Sequence, residues 1–300
     1  MAERKKRKRF HRLQAGGANP SRFETSQLKF YAYLIPICVV MALPILFIFF
    51  NALKPIDELF AFPPRFYVKR PTLQNFADLF ALSDNSNVPV SRYLFNSVII
   101  TATVVVGVIL LSISAGYVFS KKKFRLKGAL FDLNTVALMF VPVAVAIPRY
   151  FVVVYTGLLN TFVSNILPLL CMPVCIFLIK QFIDQIPDAL VEAAVIDGAG
   201  DLTIMHKIIL PMTKPALSTV AILAFQSAWN SNEASVQFIN NESIKSFAFF
   251  MTTLTNTTQN QVAGQGISAA ATLCMFLPNL IVFIILQSKV MNTMAHSGLK

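Results

Sequence analysis

The run Glu192-Ala193-Ala194-Val195-Ile196-Asp197-Gly198 is followed, after nine intervening residues, by Ile208-Ile209-Leu210-Pro211. Its residue types and spacing invite a docking role more than any other stretch of the chain. It lies in a polar loop, 184–214, between two apolar segments, and Asp184, Asp188, Glu192, Asp197 and Asp201 make that loop acidic. So many carboxylates are costly to keep beside a membrane unless a soluble partner docks there. In 187–200 the apolar Leu190, Ala193, Ala194 and Ile196 alternate with Asp188, Glu192 and Asp197, the pattern of a short amphipathic helix. Small Ala193 and Ala194 permit close approach, and Glu192 can pair with a basic group of the partner. Gly198 can take a positive φ and turn the chain into a second helix around 202–209.

Catalytic chemistry has little to work with. No G-x-x-x-x-G-K-[ST] phosphate loop is present, so the chain is not expected to hydrolyse ATP itself. His11, His206 and His296 all lie outside the apolar segments, and Asp132 is nearly the only acid within one. No histidine triad or carboxylate pair can be assembled there. Cys171 and Cys175 are one helical turn apart, but no His or carboxylate accompanies them, and they read as small packing residues instead of a metal pair. The expectation is a protein with no catalytic residues, no metal and no cofactor of its own.

The elements that position the loop follow from composition. The chain is 55% hydrophobic and 13% charged, with a mean hydropathy of +0.62, against about a quarter charged in soluble domains. Such a chain belongs in a bilayer. A spanning helix needs about 20 apolar residues, and six segments qualify: 31–50, 93–120, 128–154, 162–183, 215–238 and 266–287. The predicted class is therefore all-α, a six-helix transmembrane domain over 31–290. A basic segment, 1–30, precedes it and a short tail, 291–300, follows it. The first helix is read as uncleaved, because its basic flank and apolar core are long for a signal peptide and no A-x-A-like site follows.

The net charge of +12 is not spread as a groove for nucleic acid. With the N-terminus inside, nineteen of the 26 basic residues fall on the inner side, including the Lys121–Lys123 cluster. Lys54, Arg65, Lys69, Arg70, Arg92, Arg149 and Lys245 fall outside. That bias puts both termini and the acidic loop in the cytoplasm.

Polar residues inside spans need partners away from lipid. Those chosen as lining a solute path are Asn96, Gln226, Trp229, Asn230 and Asn232. Prolines 142, 148, 168, 173 and 278 lie in or beside spans, which predicts bent helices around a shared interior. On the outer side, 73–82 is expected as a short interfacial helix. Residues 252–261 are expected as an uncharged polar loop whose Asn256, Thr257, Gln259 and Asn260 can reach a partner.

The pattern E-A-A-x3-G-x9-I-x-L-P, here Glu192, Ala193, Ala194, Gly198, Ile208, Leu210 and Pro211, resembles the cytoplasmic coupling motif of bacterial ABC importer permeases. The remainder is similar to the second permease subunit of maltose-type carbohydrate importers. The stretches that carry this likeness are Ala52-Leu53-Lys54-Pro55, Asn96-Ser97, Gly157-Leu158-Leu159-Asn160-Thr161, Ala228-Trp229-Asn230 and Leu277-Pro278. The family usually has Glu-Phe after Trp-Asn, whereas Ser231-Asn232-Glu233 follows here.

The resemblance implies a type I ABC importer permease fold in the bacterial cytoplasmic membrane. It also implies a second homologous permease, a dimer of cytoplasmic ATPase subunits that bind ATP and Mg, and an extracytoplasmic solute-binding protein. The ATPase would grip the loop through Glu192, Ala193, Ala194, Asp197, Gly198, Ile208, Leu210 and Pro211. The solute implied is a sugar or oligosaccharide, with most solute contacts on the partner permease. The competing expectation is a secondary carrier or channel that works without ATP.

Overall fold

A computed structural model describes residues 28–84, 88–258 and 264–297, and every regular element among them is helical. Three helices are long and apolar enough to cross a bilayer unbroken: α1 (Leu28–Leu53), α4 (Val90–Lys121) and the last helix, α15 (Gly264–Ser297). Between α1 and α4 lie the single turn α2 (Ile56–Leu59) and α3 (Gln74–Asp84).

The predicted third and fourth spans are each broken. Helix α5 (Lys127–Ala137) meets the arm 142–155, whose main part is α6 (Ala146–Tyr155), at 110°. The arm 162–170, ending in α7 (Leu167–Leu170), meets α8 (Pro173–Asp184) at 41°. Both breaks precede a proline. Val141, before Pro142, is extended at ψ 134°, and Met172, before Pro173, has ψ 85°. The proline ring disfavours helical geometry in the residue before it and supplies no N–H to continue the ladder. Pro278, by contrast, sits inside α15 without interrupting it.

A third bend, of 84°, separates 201–212 from 214–237. Its first arm carries exposed Asp201, His206 and Lys207 and belongs to the loop, so the span is the second arm. That arm contains α12 (Lys214–Trp229) and α13 (Glu233–Gln237). Counting each bent pair as one crossing, the chain crosses up to six times. The six expected segments are all present, and α15 runs on as helix past residue 290 into the expected tail.

Helix α4 is the centre of the bundle and packs against α8 and α12. Its Ile100, Val104 and Val108 recur at i+4 and are at most 2% exposed. They share one apolar cluster with Cys175, Ile179 and Ile183 of α8 and Val220, Ala224 and Ala228 of α12. Gly116 lets α8 come close, since a Cβ there would lie 2.7 Å from Ile179 Cγ2. A second cluster joins α15 to α3 and to α14 (Phe247–Thr258).

One expectation changes. Residues 252–258 are the end of helix α14, not a loop. Its threonines fit a helix because Thr252 and Thr255 turn their hydroxyls onto the carbonyls of Ala248 and Met251, four residues back. Helix α3 forms where a short helix was expected at 73–82, with one face packed on the bundle: Leu79 is wholly buried, and Asn75 Nδ2 donates to the carbonyls of Ala52 and Lys54 at 2.9 and 2.7 Å.

Candidate functional site

The acidic loop folds as α9 (Asp188–Ile196), a turn, α10 (Asp201–Ile204), and a π turn over Met205–Ile209 leading into α11 (Leu210–Met212). Gly198 sits at φ +80°, where side-chain-bearing residues are strained. The N–H groups of Asp197, Gly198 and Ala199 fold back onto the carbonyls of Ala193, Val195 and Ala194 at 2.9–3.0 Å, which caps α9 and reverses the chain. The π turn has a cause in Pro211. Without an N–H, and with its ring against the preceding turn, that residue cannot continue a regular helix.

Three of the five loop acids are already neutralised within the chain. Asp184 accepts from Lys180 Nζ and Ser120 Oγ, both at 2.6 Å. Asp188 pairs with Lys121 at 2.6 Å. Asp201 pairs with Lys122 and also accepts from the Tyr117 hydroxyl at 3.1 Å. The hydrogen bond from Lys121 holds the Asp188 carboxyl below the usual carboxylate range, and that from Lys122 does the same for Asp201. Lys121 and Lys122, at the C-terminal end of α4, are thus a clamp on the loop. Glu192 and Asp197 enter no ion pair among the described residues.

Around those two free carboxylates the loop exposes Leu190, Val195, Ile196 and Leu202, the last two at 86% and 77%. Ala193 is exposed and Ala194 half-buried. Ile208 and Leu210 turn inward against the α4–α8–α12 cluster, and Ile209 between them is wholly buried. Pro211 is exposed. The motif therefore has an outward half, Glu192 to Gly198, and an inward half that seats it on the bundle.

At the opposite end of α12 a cavity of about 550 Å3 opens between the broken third and fourth spans and the α12–α13 junction. Gln226, Asn230 and Asn232, three of the residues expected on a path, line it together with Ser227 and Ser231. Asn230 Nδ2 donates to Gln226 O at 2.9 Å, and its Oδ1 accepts from Asn279 Nδ2 at 3.0 Å. Asn232 donates to Thr252 Oγ1 at 3.3 Å. Asn230 also borders a smaller cavity, about 220 Å3, lined by Thr252, Thr255 and Thr272.

The other two expected path residues lie elsewhere. Trp229 is 5% exposed, stacks on Phe225 at 5.9 Å and donates Nε1–H to Met275 O at 3.1 Å. It ties α12 to α15 and lines neither cavity. Asn96 is 2% exposed, and its amide donates to Ser243 O and Lys245 O, both at 2.9 Å. It clamps the 240–246 loop, with Arg92 Nε a second donor to Ser243 O at 3.2 Å.

Sequence reasoning passed over Arg149 and Glu233. Arg149 Nη1 donates to both carboxylate oxygens of Glu233 at 2.9 Å in the cavity wall, joining α6 to α13. A charged residue within an apolar run was the signal for Arg149. Of the residues expected to meet an outer partner, Asn256 is exposed on α14 and Thr257 lies in its last turn. Gln259 and Asn260 are outside the described residues.

Residues 108–288 match the family of binding-protein-dependent transport system inner membrane components. The chain is 28% identical over 281 residues to the sulfoquinovosyl glycerol transport system permease protein SmoH of Agrobacterium fabrum, covering 93% of this chain and 95% of that one. It is 29% identical over 208 residues to the melibiose/raffinose/stachyose import permease protein MelC of Bacillus subtilis, covering 68% and 74%. Among solved structures, a chain of a bacterial ABC transporter for import of the acidic polysaccharide alginate superposes with a TM-score of 0.74 at 20% identity. The match covers 90% of this chain and 99% of that one, and it shows a shared fold.

Proposed function

The chain belongs to the family of binding-protein-dependent transport system inner membrane components, and from that premise we propose that it is one permease subunit of an ATP-driven sugar or oligosaccharide importer. It pairs with a second, homologous permease to enclose the solute path. A dimer of cytoplasmic ATPase subunits, which carry the ATP and Mg, grips the outward half of the 184–214 loop. A binding protein delivers solute on the outer side. Both termini are cytoplasmic.

The observation that carries this reading is the face around Glu192. Two unpaired carboxylates flank exposed Ile196 and Leu202 on a loop whose remaining acids are pinned to α4. An apolar patch rimmed by free charge on a water-facing loop has the character of a protein-docking surface. Because Ile208 and Leu210 bury the inward half of the motif in the core, force applied at Glu192 passes into α4, α8 and α12 as packed bodies. Closure of the ATPases on ATP then rocks the bundle between inward-open and outward-open states. The sugar class follows the names of the similar permeases, and the amide and hydroxyl groups of the cavity suit it.

The test is reconstitution of the complete importer, with its binding protein, and measurement of ATP-dependent uptake. Glu192→Arg is expected to abolish uptake while both permeases still copurify. Normal coupling in that variant would end the docking role, and uptake that persists without ATP would point to a secondary carrier.

A further inference from the structure

Among the described residues, Arg149 and Glu233 are the only charged ones lining the 550 Å3 cavity, and they meet in its wall from α6 and α13. Arg149 Nη1 bonds both oxygens of Glu233, so the two formal charges cancel. Neither side chain is sealed in, at 30% and 36% exposed. A guanidinium has five N–H donors in a rigid plane, and among the described residues those on Nε and Nη2 have no hydrogen-bonded partner. Each carboxylate oxygen keeps a further lone pair. The remaining polar wall is uncharged: Gln226, Asn230 and Asn232, with two serines. Asn279, which fixes the Asn230 amide, leaves its own Oδ1 buried without a partner.

We infer that this cavity is a direct solute subsite for an uncharged polyhydroxylated saccharide, with the Arg149–Glu233 pair as its central contact. This inference rests on the transport reading above and assigns solute contact to this subunit. A paired guanidinium and carboxylate offer donors and acceptors side by side, which matches adjacent sugar hydroxyls that both give and accept. Amides at Gln226 and Asn230 repeat that dual character. An acidic saccharide meets Glu233 as a like charge, or must break the pair and leave that carboxylate unpaired, so it is disfavoured. The volume falls within the range of about 300–1,000 Å3 typical of small-molecule sites. The apolar lining is proline and aliphatic, Pro142, Pro168 and Leu169 among it, with no aromatic platform. Contact with a sugar is consequently weak and suited to passage.

The experiment uses the importer complex in nanodiscs, without the binding protein, and saturation-transfer NMR with two probes, uncharged raffinose and acidic trigalacturonate. Raffinose is expected to show transfer and trigalacturonate none. Arg149→Lys keeps a cation beside Glu233 but removes the planar fork. It is expected to assemble with the partner permease and to lower the raffinose signal roughly tenfold, the loss of about one hydrogen bond to a charged group. Glu233→Gln uncovers Arg149 and is expected to admit trigalacturonate. The inference is overturned by equal transfer from both probes to the wild type, by none from raffinose, or by a raffinose signal unchanged in Arg149→Lys. Should Glu233→Gln fail to assemble, the wild-type and Arg149→Lys arms decide alone. Failure of the transport reading looks different: raffinose contact persists while the complete wild-type importer shows no ATP-dependent uptake.

Discussion

Gly198 isolates a backbone effect from a packing effect. A Cβ placed there meets nothing within 4 Å, yet its φ is +80°. Gly198→Val therefore costs only conformational strain, about 1–3 kcal/mol, and the turn that presents Glu192 opens to relieve it. Uptake by the reconstituted importer should fall sharply while the complex still assembles. Gly200 is the control, because it is equally open but sits at φ −74°; Gly200→Ala should transport normally. The aspartates that anchor the same loop set its pH response. Asp188 and Asp201 have folded pKa values depressed by Lys121 and Lys122. Their contribution is complete above the unfolded value of about 3.9 and is lost only as pH falls through the lower folded value. Limited proteolysis of the loop should accordingly be flat from pH 5 to 8 and accelerate below about pH 4. A rise already at pH 6 would show that these pairs do not hold the loop.

Helix α4 is bonded at both ends, which makes it the element that connects the two faces. Its 32 residues extend about 48 Å, more than the hydrocarbon thickness of about 30 Å. Tyr117, Ser120, Lys121 and Lys122 hold the 184–214 loop. At its N-terminal end Arg92, Asn96 and Ser97 hold Ser243 O, Lys245 O and the N–H of Phe247. Lys122→Ala should lower uptake by loosening the loop, with little effect on the thermal midpoint, because its pair with Asp201 is solvent-exposed on both sides. Asn96→Ala should do the reverse. It strands the buried Lys245 carbonyl at about 1–3 kcal/mol, while Ser243 O keeps Arg92, and is read as a lower unfolding temperature of the purified complex. Periodicity and apolar length made the six spans legible, and the small residues and glycine of the E-A-A motif made the helix, turn and second helix of the 184–214 loop legible. The inner clamp was not, because nothing in the spacing says that Lys121 and Asp188, 67 residues apart, meet. The acidity of the loop looked like a signal for a partner, yet most of it answers lysines of the same chain. Asn96 and Trp229 were misread as path lining for a related reason: a polar group in an apolar run must find a partner, and the sequence does not say whether that partner is a solute or a backbone carbonyl.

Across the whole molecule, the charge asymmetry and the two functional regions must agree on one orientation. The loop around Glu192 and the cavity around Arg149 lie at opposite ends of α12, which begins at Lys214 beside the loop and ends at Trp229 beside the cavity. If the basic clusters are cytoplasmic, a docking face for ATPases and an entry for solute fall on the sides where each is needed. The opposite orientation would put the docking face outside and the outer helices α3 and α14 in the cytoplasm, with no role for either. Two exposed positions separate these cases: Ile196 on the loop, 86% exposed, and Phe62 between α2 and α3, 95% exposed. Ile196→Cys should be modified by a membrane-impermeant thiol reagent only in inverted vesicles, and Phe62→Cys only in intact cells. Cys38, exposed within an apolar segment and embedded in the bilayer, should react with neither, whereas Cys171 lines the cavity and is replaced by Ser in the parent of both variants. The reverse pattern would remove the loop from the reach of any cytoplasmic ATPase and, with it, the importer reading.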